Sequence, residues 1–213
     1  MSEKKPSFWE KLGFFRQNMK TLGRFLFRIR SFTPIPLIIL LIIFAHPSQF
    51  SFSIGFIIVI LGELLRIWAV GYAGAATRTR SMGAARQLVT AGPYAYVRNP
   101  LYLGNFLLSL GICIISGVHW MIPIFLVGYI FQYLPIIFSE EAHLRKECGK
   151  IYDDYYANVP RFIPRILYAN PSLRSGPEHD FSLRRAIKSE KRTFMAIVLV
   201  IVLLLIRFHV LRR

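Results

Sequence analysis

Long apolar runs alternate with basic polar segments along this chain, and that alternation restricts it to one class of fold. Residues 34–50, 53–73, 103–118 and 121–138 are apolar and close to the length at which a helix crosses a bilayer. A shorter run, Phe194–Ile206, lies near the C-terminus. Backbone in contact with lipid must satisfy its own hydrogen bonds, so helices are the expected form. The 213 residues are 54% hydrophobic, as an integral membrane protein requires. The spacing predicts an all-α integral membrane protein: two tight transmembrane hairpins, a C-terminal hydrophobic helix and a cofactor pocket on the cytoplasmic side.

The charge pattern sets the expected topology. The links His46-Pro47-Ser48 and Ser116-Gly117-Val118-His119-Trp120 carry no Lys or Arg. Residues 74–102 carry Arg78, Arg80, Arg86 and Arg98 with no acid, and residues 139–192 carry eleven Lys or Arg and eight Asp or Glu. The positive-inside rule places the N-terminus and both basic segments in the cytoplasm and both links outside. A net charge of +16 in a soluble chain would suggest nucleic acid. Here the basic residues flank apolar spans and no nucleic-acid motif accompanies them. The charge is read as topology plus attraction to anionic lipid, with no nucleic-acid partner. Cys113 and Cys148 are single and far apart, so neither a disulfide nor a metal site is expected. No cleavable signal peptide is expected either, because the first thirty residues are too charged.

Three regions follow. Residues 1–33 interleave Lys and Arg with Phe8, Trp9, Leu12, Phe15, Met19, Leu22 and Phe25 at helical spacing, as in an amphipathic helix lying in the membrane interface. Residues 34–168 form the membrane core. Residues 169–213 are a linker, with Pro171, Gly176 and Pro177, and a last helix. Thirteen apolar residues are few for a crossing; a fifth span is favoured over a re-entrant or interfacial helix.

The segment Leu88–Gly104 interrupts the apolar pattern. Gly92-Pro93 and Asn99-Pro100 favour turns, so irregular backbone is expected beside Arg98, Tyr94, Tyr96 and Tyr102. Such backbone at a membrane boundary is tolerated when it lines a cavity. The tyrosines suit either an interfacial belt or a purine face. Glu140-Glu141 ends the fourth run; one carboxylate can pair with Arg98 or Arg86 and the other can hold a cation or a ligand hydroxyl, or both can simply begin a charged helix with Arg145 and Lys146. Glu63 and Arg66, three apart inside the second run, suit a functional role or a mutual ion pair equally.

Taken together, Gly92-Pro-Tyr-Ala-Tyr-Val-Arg-Asn-Pro-Leu-Tyr-Leu-Gly104 and Glu140-Glu-x-x-Leu…Gly149-x-x-Tyr-x-x-Tyr-x-x-x-Val-Pro-Arg161 resemble the two motifs of the isoprenylcysteine carboxyl methyltransferase and phospholipid methyltransferase superfamily. Gly62-Glu-Leu-Leu-Arg66-Ile-Trp68 looks like its second-span signature. The resemblance covers roughly residues 50–168. It implies an enzyme that uses S-adenosyl-L-methionine and methylates a membrane lipid or hydrophobic small molecule. It implies a cofactor site of Leu88, Val89, Gly92, Tyr94, Arg98, Asn99, Tyr102, Glu140 and Glu141. Arg161 would stand near the reacting centre, and Glu141 would be the candidate base if the acceptor is an amine. Two positions depart from the pattern. Asn99 replaces the His of the eukaryotic isoprenylcysteine enzymes and cannot titrate, which points toward a bacterial-type enzyme of the inner membrane. Cys148 replaces a Phe. The competing readings are an NADPH-dependent sterol-type reductase, which shares an R-H-x-x-Y-x-G stretch, and a non-catalytic membrane protein. The acidic pair suits a cationic cofactor and suits a polyphosphate badly.

Overall fold

The computed structural model describes residues 8–74, 88–164 and 181–211, with backbone alone for 8–16 and 211. All regular structure among the described residues is helical: α1 (Phe8–Ile29), α2 (Pro34–Ile43), α3 (Gln49–Ala73), a 3-10 turn (Gly92–Ala95), α4 (Pro100–Ile115), α5 (Met121–Cys148), α6 (Lys150–Asn158) and α7 (Leu183–Leu211). Local chemistry sets several of these ends. Ser48 and Ser51 form a reciprocal capping box at the start of α3, with bonds of 3.0 and 2.9 Å. Pro100 opens α4 where its missing N–H costs nothing, and Asn99 before it is held outside the helical region at φ −125°, ψ 55°. Gly149, at φ +53°, ends α5 and turns the chain into α6.

Among the described residues three helices are long and apolar enough to cross a membrane: α3, α5 and α7. The expected first span, residues 34–50, is not one helix. α2 has ten residues, about 15 Å at 1.5 Å per residue, half of a hydrocarbon core. Residues 17–29 of α1 and all of α2 reach spanning length together, bent by 57° at their junction. The N-terminal segment is therefore more than an interfacial helix. Leu26 and Phe27 are buried against Ile136 and Ile137 of α5, while Arg24 and Arg28 stay exposed. The close approach is possible because residue 23 is glycine: a Cβ there would sit 2.1 Å from the Pro135 carbonyl oxygen. At the other end of the chain α7 is unbroken over 29 residues and is long and apolar enough to cross a membrane. The thirteen-residue apolar run understated it, because its charged first turns also pack on the bundle.

α3 and α4 are joined by a seam of glycines. A Cβ on Gly55 would meet the Gly111 carbonyl oxygen at 2.6 Å, and one on Gly111 would meet the Gly55 carbonyl at 2.7 Å. Two turns along, Gly62 and Gly104 oppose each other in the same way, with each Cβ 3.0 Å from the other's carbonyl. Lipid tails are as apolar as leucine, so association within a membrane depends on such close packing. α7 closes the bundle by placing Ile197, Val200 and Leu204 in one core with Leu41, Val59 and Ile112. The His46 N–H donates to the Ser116 carbonyl at 2.8 Å, so the two links that lack Lys and Arg lie side by side at one end. Arg78, Arg80 and Arg86, and the linker over 165–180, lie outside the described residues.

Gly111→Val should cost about 1–3 kcal/mol of stability through overpacking of the seam. Gly128→Ala, on α5 with nothing within 4 Å of its Cβ position, should cost nothing measurable. Thermal unfolding of the two variants in detergent checks both expectations.

Candidate functional site

At the end of the bundle opposite those links, three stretches distant in sequence converge: Leu88–Gly104, the last turns of α5, and α6 with the residues after it. Gly92 shows why the first stretch needs its motif. Its φ is +61°, and a Cβ would lie 2.3 Å from the Tyr72 ring of α3. After the 3-10 turn the Arg98 N–H donates to the Pro160 carbonyl at 2.8 Å, which binds the loop to the Val159-Pro160-Arg161 stretch.

Glu141 is the hub. The Arg161 side chain grips it with two bonds, Nε to Oε1 at 3.0 Å and Nη2 to Oε2 at 2.6 Å. The Arg98 Nε donates to Oε1 from the other side at 3.3 Å. The Arg98 and Glu141 side chains are 7% and 9% exposed, so the pair is taken out of water. The remaining Arg98 donor, Nη1, bonds the Tyr156 and Val159 carbonyls at 2.7 and 2.8 Å, and its guanidinium lies 3.9 Å from the Tyr156 ring centre. Those carbonyls are the orphaned acceptors at the end of α6. Arg98 is thus fully committed. Arg161 is not: its side chain is 24% exposed, its guanidinium rests 4.6 Å from the Phe138 ring centre, and its Nη1 has no partner among the described residues. The hydrogen bonds it donates to Glu141 hold the Arg161 guanidinium even more firmly protonated than usual.

Glu140, one residue earlier, faces elsewhere. The Tyr102 hydroxyl donates to its Oε1 at 2.7 Å, and the other oxygen accepts no hydrogen bond from the described residues. Asn99 is buried, and its side-chain NH2 has no hydrogen-bond partner among them. The tyrosine Tyr155 donates to the Tyr94 carbonyl at 2.8 Å; burial pushes its phenol well above the ordinary range and keeps it a neutral donor. Leu88 packs on the cluster of Tyr152, Tyr155 and Val159, and Val89 is half-buried beside it.

Arg98, Asn99, Tyr102, Glu140, Glu141 and Arg161 are therefore brought to one end of the bundle, as their two motifs suggest. Glu63 and Arg66 meet at 3.6 Å, but the Arg66 guanidinium also binds Asn105 and Glu190, so they belong to a polar tie between α3, α4 and α7. Sequence reasoning missed Tyr156, whose ring and carbonyl both serve Arg98, and Glu190, which reads as one charge among many in a linker. Among the described residues no group of three His, Cys, Asp or Glu is placed to hold a metal.

Residues 50–151 match the family model "phospholipid methyltransferase". That stretch is just under half of the chain, and over it the chain resembles the phospholipid methyltransferase superfamily. It is similar to the nickel-cobalt-cadmium resistance protein NccN of Alcaligenes xylosoxydans xylosoxydans, 28% identical over 54% of this chain and 50% of that protein. It is 38% identical to the protein-S-isoprenylcysteine O-methyltransferase of Schizosaccharomyces pombe, over 37% of this chain and 34% of that enzyme. A further similarity, 29%, is to the mouse Delta(14)-sterol reductase TM7SF2, over 38% of this chain and 20% of the reductase. The chain thus spans half or less of the length of these relatives. No solved structure matches it.

Glu141→Gln would leave the buried Arg98 and the half-buried Arg161 facing a neutral amide, and we expect it to cost about 3–5 kcal/mol. Arg145→Gln removes an ion pair to Asp153 in which both side chains are 53% exposed, and should cost under about 1 kcal/mol. Chemical denaturation of both in detergent measures the contrast.

Proposed function

We propose that this chain is an S-adenosyl-L-methionine-dependent integral membrane methyltransferase acting on a lipid-like or hydrophobic acceptor. The observation that carries this reading is a pair of open polar atoms, the Asn99 side-chain nitrogen at the start of α4 and a Glu140 carboxylate oxygen on α5. The buried Asn99 NH2 is a donor without a partner, and Glu140 keeps an oxygen that accepts nothing from the described residues. A buried donor left unsatisfied costs about 1–3 kcal/mol, so a ligand acceptor belongs there. A cofactor with a carboxylate, an ammonium and a sulfonium presents one acceptor and two cations, which is the complementary set. Leu88, Val89, Gly92 and Tyr94 supply backbone and apolar surface beside them, with Tyr102 orienting Glu140. When bound, the cofactor supplies an electrophilic methyl group.

The residues of the chain divide the remaining tasks. Arg98 and Glu141 hold the cofactor loop and the Val159-Pro160-Arg161 stretch in fixed relation. Arg161, with its open Nη1, orients an anionic acceptor such as a carboxylate or phosphate, which needs no base. An amine acceptor must lose a proton. Glu141 accepts from two arginines at both oxygens, so Glu140 is better placed than Glu141 for that task. Alignment and exclusion of water then supply most of the rate. We assign the basic end to the cytoplasm by the positive-inside rule, in the inner membrane of a bacterium. The sterol reductase similarity supports a second reading with NADPH. Glu140 disfavours it, because a carboxylate with an open oxygen repels a polyphosphate.

Calorimetric titration of the detergent-solubilised chain with S-adenosylhomocysteine tests the reading. Binding in the micromolar range is expected, weakened roughly tenfold or more by Asn99→Ala and by Glu140→Gln, the size of a hydrogen bond to a charged group. Heat with NADPH and none with S-adenosylhomocysteine would turn the assignment to the reductase. Transfer of labelled methyl to extracted membrane lipids would then identify the acceptor.

A further inference from the structure

A second basic feature lies on the face of α5 turned away from Glu141. α1 and α5 enclose a cleft of about 260 Å³ lined by Gln17, Lys20 and Arg24 from α1 and by Ser139, His143 and Lys146 from α5. The spacings 17, 20, 24 and 139, 143, 146 put each set on one helical face. No carboxylate lines the cleft among the described residues. Lys20, Arg24 and Lys146 are exposed, so their charges are available to a ligand.

The cleft is built by the fold. Gly23, next to Arg24, brings α1 within backbone contact of Pro135 and Ser139, and the Ser139 hydroxyl donates to the Lys20 carbonyl at 3.3 Å. Three cations are thereby held around one concavity that another helix crossing would have spread apart. Beside it α5 presents apolar surface. Phe131 and Phe138 are 66% and 40% exposed, and with Ala142 they follow spacings of seven and four along one strip that runs to the cleft wall.

We propose that this cleft binds the phosphate of an anionic membrane phospholipid, with an acyl chain laid along Phe131 and Phe138. A free anion would need the cations but not the strip. A zwitterionic headgroup would bring its own cation against Lys20, Arg24 and Lys146. Half of the cleft comes from α1, which precedes the residues matched by the family model. The cations of the cleft lie apart from Glu140 and Asn99, the strip adjoins Arg161 at Phe138, and the proposal does not depend on the methyltransferase reading.

The test uses the full chain in detergent, with short-chain phosphatidylglycerol, short-chain phosphatidylcholine and inorganic phosphate as probes and thermophoresis as the readout. Phosphatidylglycerol should bind at least tenfold more tightly than either other probe. At about fivefold per basic residue, Lys20→Gln with Lys146→Gln should weaken it about 25-fold. Arg184→Gln with Lys188→Gln removes two exposed charges from α7 instead and should change affinity less than twofold. Equal affinity for the two lipids, equal affinity for inorganic phosphate, no loss in the cleft variant, or the same loss in the α7 variant would each overturn the proposal.

Discussion

A single carboxylate held between two guanidiniums organises the basic end of this protein. Removing Glu141, Arg98 and Arg161 from water is costly, and mutual attraction offsets that cost only when the remaining donors also find partners. Here most of them do. Arg98 places its last donor on the open carbonyls at the end of α6, where the helix dipole also favours a cation. The arrangement demands three things at once: that the 3-10 turn present Arg98, that α5 continue as helix past the membrane run, and that α6 end where it does. Irregular backbone between two spans is thereby given one conformation. A site for a charged cofactor needs that fixity, because an open loop would meet each ligand in a different shape.

The glycine seam serves the same end from within the bilayer. Gly104 is the last residue of the motif that contains Arg98 and Asn99, yet its own contact is with Gly62 of α3. Close backbone approach there sets the height and angle of α4, and so the position of the loop at its N-terminus. Arg66 extends the tie to α7 through Glu190. α7 also reaches the loop indirectly. Phe181, just before it, packs on Tyr72 with ring centres 5.5 Å apart, and Tyr72 is the surface against which Gly92 turns. A C-terminal helix outside the matched region thus supports the same few residues.

The helices of the core were legible because apolar length and charged flanks report directly on lipid exposure. The convergence of Arg98, Tyr102, Glu140 and Arg161 was legible from the motifs. What the pattern could not show was which apolar face meets which partner. α1 has the composition of an interfacial helix because Arg24 and Arg28 point to solvent, and only the approach at Gly23 reveals that Leu26 and Phe27 face α5. Glu190 was hidden for a related reason. A single acid among many charges gains meaning only when the opposite helix presents Arg66 at its level.

The two neighbouring glutamates show how little spacing is needed to separate roles. Successive residues on a helix point about 100° apart, so one register cannot direct both side chains to the same partner. Glu141 turns to the arginines and becomes part of the frame. Glu140 turns to Tyr102 and keeps one oxygen open. Swapping the two would leave a carboxylate without cations and two guanidiniums without a carboxylate. An amide at position 99 fits the same logic. The Asn99 side chain is a buried donor that cannot itself titrate, which a histidine at that position would do.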